Sequence, residues 1–123
     1  MSMNIGKPAA IIVRITLILV LFICLGSSIA CKPKDSVTYE VTGDADVVDI
    51  VISDDDGDLE RFYDIALPWR QDYGEFEQDY LYLYAYNKGE SGSVTITIFV
   101  NSKVFKSETI SGGYQSAVIV GNK

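Results

Sequence analysis

An acidic stretch, "SDDDGD" at residues 53–58, has the side chains that a hard metal ion prefers. Its serine and four aspartates offer five oxygen-bearing side chains in six positions. Calcium binds carboxylate, hydroxyl and carbonyl oxygens, so this stretch is the candidate metal site of the chain. The candidate ligands are Asp54, Asp56 and Asp58.

The spacing of this stretch does not fit an EF-hand. With Gly57 at the sixth loop position, Ile52 falls at the first position, where a ligand is needed. Tyr63 then falls at the twelfth position, where an EF-hand has its bidentate glutamate. The favoured interpretation is a β-hairpin turn in which Asp56 and Gly57 supply the backbone angles of a tight turn.

A second segment, "DYLYLYAYNKG" at residues 79–89, places tyrosine at every second position. Because successive side chains of a β-strand point to opposite faces, a strand here has one tyrosine face and one aliphatic face. The side chains expected to point into the core are Leu81, Leu83 and Ala85. The side chains expected to point outward are Tyr80, Tyr82, Tyr84 and Tyr86.

The outward tyrosines have two interpretations. Tyrosine suits strands structurally, and its ring pairs with side chains of neighbouring strands. An exposed aromatic strip also suits binding of sugars, lipid-like molecules or another protein. Trp69, directly after Pro68, is either a further ligand platform or a plug in the core. The candidate binding surface comprises Tyr80, Tyr82, Tyr84, Tyr86 and Trp69.

Catalytic groups are scarce in this sequence. The chain has no histidine, which excludes Ser-His-Asp triads, Cys-His pairs and histidine-ligated metals. Its 17 acidic residues make some carboxylate pair inevitable, so a pair carries no signal for glycoside hydrolysis. We therefore predict that the protein is not an enzyme and needs no cofactor.

Charge is distributed unevenly along the chain. Of the ten basic residues, Lys7 and Arg14 precede residue 31, which leaves eight against 17 acids and a net charge of −9. Contact with phosphates needs a basic surface, so this balance disfavours nucleic acid as a partner.

The first 30 residues have the pattern of an export signal. Lys7 and Arg14 precede the apolar run "ITLILVLFICLG" (15–26), and "SSIAC" then leads into Cys31 like a bacterial lipobox. We predict a lipoprotein signal peptide at residues 1–30 with lipidation at Cys31. The alternative is an uncleaved membrane anchor from Pro8 to Ala30. Either way, the remainder of the chain is expected outside the cytoplasmic membrane and tethered to it.

Short alternating runs separated by turn residues fill the rest of the chain. A tether at 31–36 precedes a predicted domain at 37–123. The predicted strands are 37–41, 47–53, 59–67, 80–86, 93–100, 104–110 and 115–120. About seven short strands indicate an all-β sandwich or barrel. Residues 67–79 are too irregular to predict a strand, and residues 101–103 form a predicted three-residue hairpin connection.

These segments occur in an order that resembles a known family. The relevant stretches are "VTYEVTGDADVVDIVIS", "ALPW", "LYAYN" and "GSVTITIFVNSKVFKSETISGGY". They resemble the extracytoplasmic domain of the mycobacterial membrane protein small (MmpS) family, with its "YEVTG" strand, "LPW" corner, "L-x-A-x-N" strand and "T-V-DGK-V" hairpin. The matching positions are Tyr39 to Gly43, Leu67 to Trp69, Leu83, Ala85, Asn87, Val100, Lys103, Val104 and Gly113.

This resemblance implies an immunoglobulin-like antiparallel β-sandwich behind an N-terminal anchor helix. It also implies an accessory subunit of an RND-type transporter that exports lipids or siderophores. The chain departs from the family pattern in its lipobox, in Asn101-Ser102 replacing Asp-Gly, and in apolar residues where many members carry a cysteine pair. The alternative function is a free-standing surface module that binds carbohydrate or a cell-envelope polymer through the tyrosine strip.

Overall fold

A computed structural model describes residues 34–123 of the chain. The signal peptide or anchor expected at 1–30, the lipidation site Cys31 and the first half of the tether, residues 31–33, lie outside the described residues. Within the described range, no helix has the length and apolar character needed to cross a membrane.

Eight β-strands make up the regular structure of residues 34–123. They are β1 (Asp35–Gly43), β2 (Val48–Ser53), β3 (Leu59–Ile65), β4 (Trp69–Phe76), β5 (Tyr80–Asn87), β6 (Ser93–Val100), β7 (Lys103–Ser111) and β8 (Ser116–Asn122). The all-β prediction is confirmed. The count exceeds the expected seven, because β4 occupies the stretch where no strand was predicted.

Strand β4 was missed because its alternation is masked by polar residues. It is an edge strand that pairs with β1, with Trp69 opposite Val41 and Gln71 opposite Tyr39. Its inward positions therefore include a glutamine, and Gly74 interrupts the pattern further along. A strand at a sheet edge tolerates such residues because only one side of it is fully packed.

The strands form two antiparallel four-stranded sheets. The first has the order β4-β1-β6-β7 and the second has the order β3-β2-β5-β8. Strands β1 and β6 are central in the first sheet, and β2 and β5 are central in the second. The chain therefore changes sheet repeatedly, and the tyrosine-rich strand β5 lies in the middle of the second sheet.

The core lies between the two sheets and is built by the central strands. Alternate residues of these strands are fully buried, as the period-two pattern predicted. The members without exposed surface are Val37, Tyr39, Val41, Val48, Ile50, Ile52, Leu81, Leu83, Ala85, Val94, Ile96 and Ile98. Val100, expected on the same face, is only partly buried because it lies beside the β6–β7 turn.

The β6–β7 connection has two residues, not the three predicted. Val100 pairs with Lys103, which is already the first residue of β7. Asn101 and Ser102 both have positive φ, 52° and 65°, as a type I′ turn requires. The Asn101 side chain also accepts a hydrogen bond from the Ser36 amide and donates one to Asp35, which fastens the start of β1.

A buried amide organises the loops that follow β5 and β7. Asn87 is fully buried, and its Nδ2 donates to the carbonyls of Ser91 and Gly112 at 3.0 and 3.1 Å. Its Oδ1 accepts from the Gly89 amide at 2.9 Å. Because a buried amide must keep its hydrogen bonds, Asn87 fixes both loops relative to the end of β5.

Candidate functional site

The tyrosines of β5 lie on the outer side of the second sheet. Leu81, Leu83 and Ala85 are 0% exposed, so the predicted inward orientation of these residues is confirmed. Tyr80 is 45% exposed, and the three other tyrosines are partly buried. The strip is therefore half covered by neighbouring side chains and is not a row of free rings.

Strand β8 widens this strip into a continuous surface. Val120 lies opposite Tyr82 and Val118 lies opposite Tyr84, and both valines are nearly half exposed. We call the outer surface formed by Tyr80, Tyr82, Tyr84, Tyr86, Val118 and Val120 the tyrosine face. The two valines were missed because the β5–β8 pairing joins segments that are far apart in sequence.

The flank of the tyrosine face along β2 mixes apolar and charged side chains. Val51 lies opposite Tyr84 and is only 8% exposed, although it points to the outer side of the sheet. Asp49 lies opposite Tyr86 and accepts a hydrogen bond from the Asp64 amide at 3.0 Å. The surface thus has a neutral centre with a polar rim, a pattern common at protein interfaces.

Ser53 links the tyrosine face to the core. Its Oγ accepts from the Tyr82 amide at 3.0 Å and shares a 2.9 Å hydrogen bond with the Tyr39 hydroxyl. Tyr39 belongs to the first sheet, so this contact joins the two sheets through a buried polar pair. Burial raises the pKa of Tyr39 to about 12, which keeps its hydroxyl neutral at physiological pH.

Trp69 does not belong to the tyrosine face. It opens β4 in the first sheet and packs against the core, with its ring 5.1 Å from that of Phe62. Of the two interpretations of Trp69, the core plug matches this position. The structure therefore brings the four tyrosines together and leaves Trp69 apart from them.

The acidic stretch after β2 forms the hairpin turn that was the favoured interpretation. Asp54 Oδ1 accepts hydrogen bonds from the amides of Asp56 and Asp58 at 3.0 and 2.9 Å. Gly57 alone in this turn has a positive φ, 88°, whereas Asp56 was also expected to have one. One carboxylate oxygen of Asp54 thus accepts two backbone hydrogen bonds that hold the turn together.

The carboxylates that lie close together differ from the predicted metal ligands. Asp54, Asp55 and Asp56 have carboxylate oxygens within 4.8 Å of one another. Asp58, the third predicted ligand, is not a member of this group. Calcium binding at Asp54, Asp56 and Asp58 stays the less favoured alternative to the turn interpretation.

Concave regions adjoin these surfaces, and two of them are described. The larger, about 420 Å³, is a groove between β7 and β8 lined by residues 106–108 and 118–120. It adjoins the tyrosine face because Val118 and Val120 contribute to both. The smaller, about 140 Å³, lies on the first sheet beside Thr38 and Arg70.

Comparison with known proteins agrees with the resemblance drawn from the strand motifs. The family model described as Mycobacterium membrane protein matches residues 21–120. No curated protein matches the chain. The family match spans most of the sequence, including every strand from β1 to β7 and most of β8. The chain therefore belongs to the Mycobacterium membrane protein family, the MmpS-like group of mycobacterial membrane proteins.

Proposed function

We propose that this protein is a membrane-tethered, extracytoplasmic accessory subunit of an RND-type exporter. The observation that carries the proposal is membership of the MmpS-like family by a chain with an uncharged aromatic surface. In this proposal the tyrosine face docks on the extracytoplasmic part of the transporter.

The chemistry of the tyrosine face supports docking on a protein. Residues 80–87 carry no charge in a domain that is otherwise strongly acidic. Aromatic residues are enriched at the centres of protein interfaces because they bury large areas while their hydroxyls keep hydrogen bonds. Asp49 and Arg61, the latter opposite Val51, supply charges at the rim.

The start of the domain supports a short tether. Strand β1 begins at Asp35, four residues after Cys31. Four extended residues span about 14 Å, so lipidation at Cys31 holds the domain close to the membrane surface. The Asp35 carboxylate accepts from Lys123 Nζ at 3.0 Å and from Asn101 Nδ2 at 2.8 Å, which fixes this end of β1.

The topology supports an immunoglobulin-like variant of the β-sandwich. β1 pairs with β4 in one sheet, while β2, β5 and β8 are neighbours in the other. If β1 and β4 correspond to strands B and E, and β2, β5 and β8 to C, F and G, the pairing agrees with immunoglobulin domains, where B pairs with E and F lies between C and G. The β6–β7 hairpin takes the edge beside β1 that strand A occupies in those domains.

Affinity purification from gently solubilised membranes tests the accessory role. We expect the wild-type protein to recover a large RND-type transporter. A variant with both Tyr82→Ala and Tyr84→Ala should lose it, whereas Tyr114→Ala, at an exposed tyrosine outside the tyrosine face, should retain it. Recovery of the wild type without a transporter, while other membrane complexes survive, contradicts the proposal.

A second candidate function is a free-standing module that binds carbohydrate or cell-envelope polymer. The observation in its favour is that four partly exposed tyrosines share one side of β5, since aromatic rings pack against sugar rings and tyrosine hydroxyls add hydrogen bonds. A glycan array separates the two functions. Glycan signal that is lost in both Tyr82→Ala and Tyr84→Ala favours the module, and no signal with the wild type opposes it.

A further inference from the structure

Strand β8 has an open edge. It is the last strand of the second sheet, and among residues 34–123 no strand pairs with its outer side. An open edge presents unpaired backbone donors and acceptors that pair readily with another strand.

Two contacts fix which residues of β8 face the open edge. The Tyr82 amide donates to Ser53 on the β2 side, so Tyr82 does not bond to Val120, its β8 partner. The Val120 carbonyl instead accepts from Lys106 Nζ at 3.0 Å. Because hydrogen-bonded and non-hydrogen-bonded pairs alternate in an antiparallel ladder, Val118 has the same orientation as Val120.

The segment that contains β7 and β8 is the least acidic part of the domain. Residues 101–123 hold three lysines and one acid, a net charge of +2. Residues 34–100 hold four basic and 16 acidic residues, a net charge of −12. Two copies of this domain repel each other over most of their surface and least at β7 and β8.

We propose that the open edge of β8 binds a second copy of this chain. The two β8 strands pair antiparallel about a twofold axis at Ile119, with Val118 of one protomer opposite the partner's Val120. The outward amides and carbonyls of Val118 and Val120 then bond across the axis, and the exposed valines cover each other. The second sheets join into one eight-stranded sheet that carries two tyrosine faces side by side.

The charges of β7 complement this arrangement. Lys106 lies beside Val120, and Glu108 lies further along the same groove, beside Val118, since β7 and β8 run in opposite directions. The twofold axis places Lys106 of each protomer opposite the partner's Glu108. The interface is therefore self-complementary, as a twofold contact requires. In the dimer, the partner's Val118 amide replaces Lys106 as the donor to the Val120 carbonyl. The ammonium of Lys106 then turns to the partner's Glu108.

Sedimentation of the full chain in detergent tests the association. We expect a dimer for the wild type, and for Val118→Lys an increase in the dimer dissociation constant of about tenfold or more. Leu59→Lys is the matched control, because Leu59 is similarly exposed on β3, the opposite edge of the same sheet. The proposal is overturned if the wild type is a monomer at every concentration. It is also overturned if both variants weaken dimerisation equally while their melting temperatures are unchanged.

A charge exchange tests the antiparallel register. Lys106→Glu places two carboxylates opposite each other at both ends of the interface, so we expect about tenfold weaker dimerisation. The double variant Lys106→Glu, Glu108→Lys restores opposite charges, so its dissociation constant should return close to that of the wild type. A double variant that stays as weak as the single variant contradicts the twofold pairing.

Discussion

The two faces of β5 experience different constraints although they share one backbone. On the inner face, Leu81, Leu83 and Ala85 have no exposed surface and pack between the sheets. On the outer face, Tyr80 is nearly half exposed and the other three tyrosines are partly buried, and β8 places valines beside two of them.

This difference separates what the fold requires from what the fold leaves open. A buried position must fill a fixed volume, so packing dictates its residue type. An outer position in a sheet tolerates many side chains, and tyrosine is one of the residues that suit a strand there. The four tyrosines therefore fit either a packing role or the binding role proposed above, and the variants below separate the two.

The largest effect is expected on the inner face. Leu83→Ala removes a fully buried side chain from the central strand of the second sheet and leaves a cavity. We expect the free energy of unfolding to fall by about 3 kcal/mol. Urea denaturation measures it, and a loss below about 1 kcal/mol would contradict the packing described for this face.

A smaller effect is expected where the two faces are connected. Ser53→Ala removes the hydroxyl that bonds the Tyr39 hydroxyl and the Tyr82 amide, leaving buried polar groups without partners. We expect a loss of about 1–3 kcal/mol in the free energy of unfolding. Thr109→Ala is the control, because its hydroxyl pairs with Thr95 at the exposed surface, and its effect should stay within about 0.5 kcal/mol.

The outer face should respond weakly in stability. Tyr84→Ala removes cross-strand contacts with Val118 and Val51, which contribute about 0.2–1 kcal/mol each. We expect the free energy of unfolding to fall by about 1 kcal/mol in the same urea titration, well below the effect of Leu83→Ala. A loss equal to that of Leu83→Ala would assign the tyrosines to packing and remove the need for a binding role.

Sequence alone predicted the inner face but not its neighbours. Period-two alternation identified the buried residues of β2, β5 and β6, because burial of one sheet face dictates that pattern. Alternation carries no information on which strands pair. The placement of Val118 and Val120 beside the tyrosines therefore needed the structure, as did the separation of Trp69 from them.

Two local errors have a similar origin. β4 was not predicted because Gln71 and Gly74 occupy positions of an edge strand where packing is permissive. The β6–β7 loop was predicted one residue too long because Asn101 and Ser102 form a two-residue turn without glycine. In both places tertiary context overrides the local propensity of the residues.

The smallest effect is expected away from β5, at an exposed carboxylate. Asp44 Oδ1 accepts from the Ser93 amide and hydroxyl at 2.6 and 2.9 Å, and these bonds lower the pKa of Asp44. A carboxyl with a lowered folded-state pKa stabilises the fold above its unfolded-state pKa, and this contribution is lost as pH falls through the folded-state value. Asp44→Asn should therefore reduce the fall in melting temperature on acidification below about pH 4. An unchanged acid dependence would show that these bonds do not persist in solution.

The central claim is that the outer face of β5 binds and the inner face does not. The most direct measurement is transporter recovery, per folded molecule, from gently solubilised membranes with Tyr82→Ala/Tyr84→Ala compared with Leu83→Ala. We predict that the outer-face variant loses the transporter while staying folded, and that the folded fraction of Leu83→Ala still recovers it. If the outer-face variant recovers as much transporter as the wild type does, the central claim is contradicted.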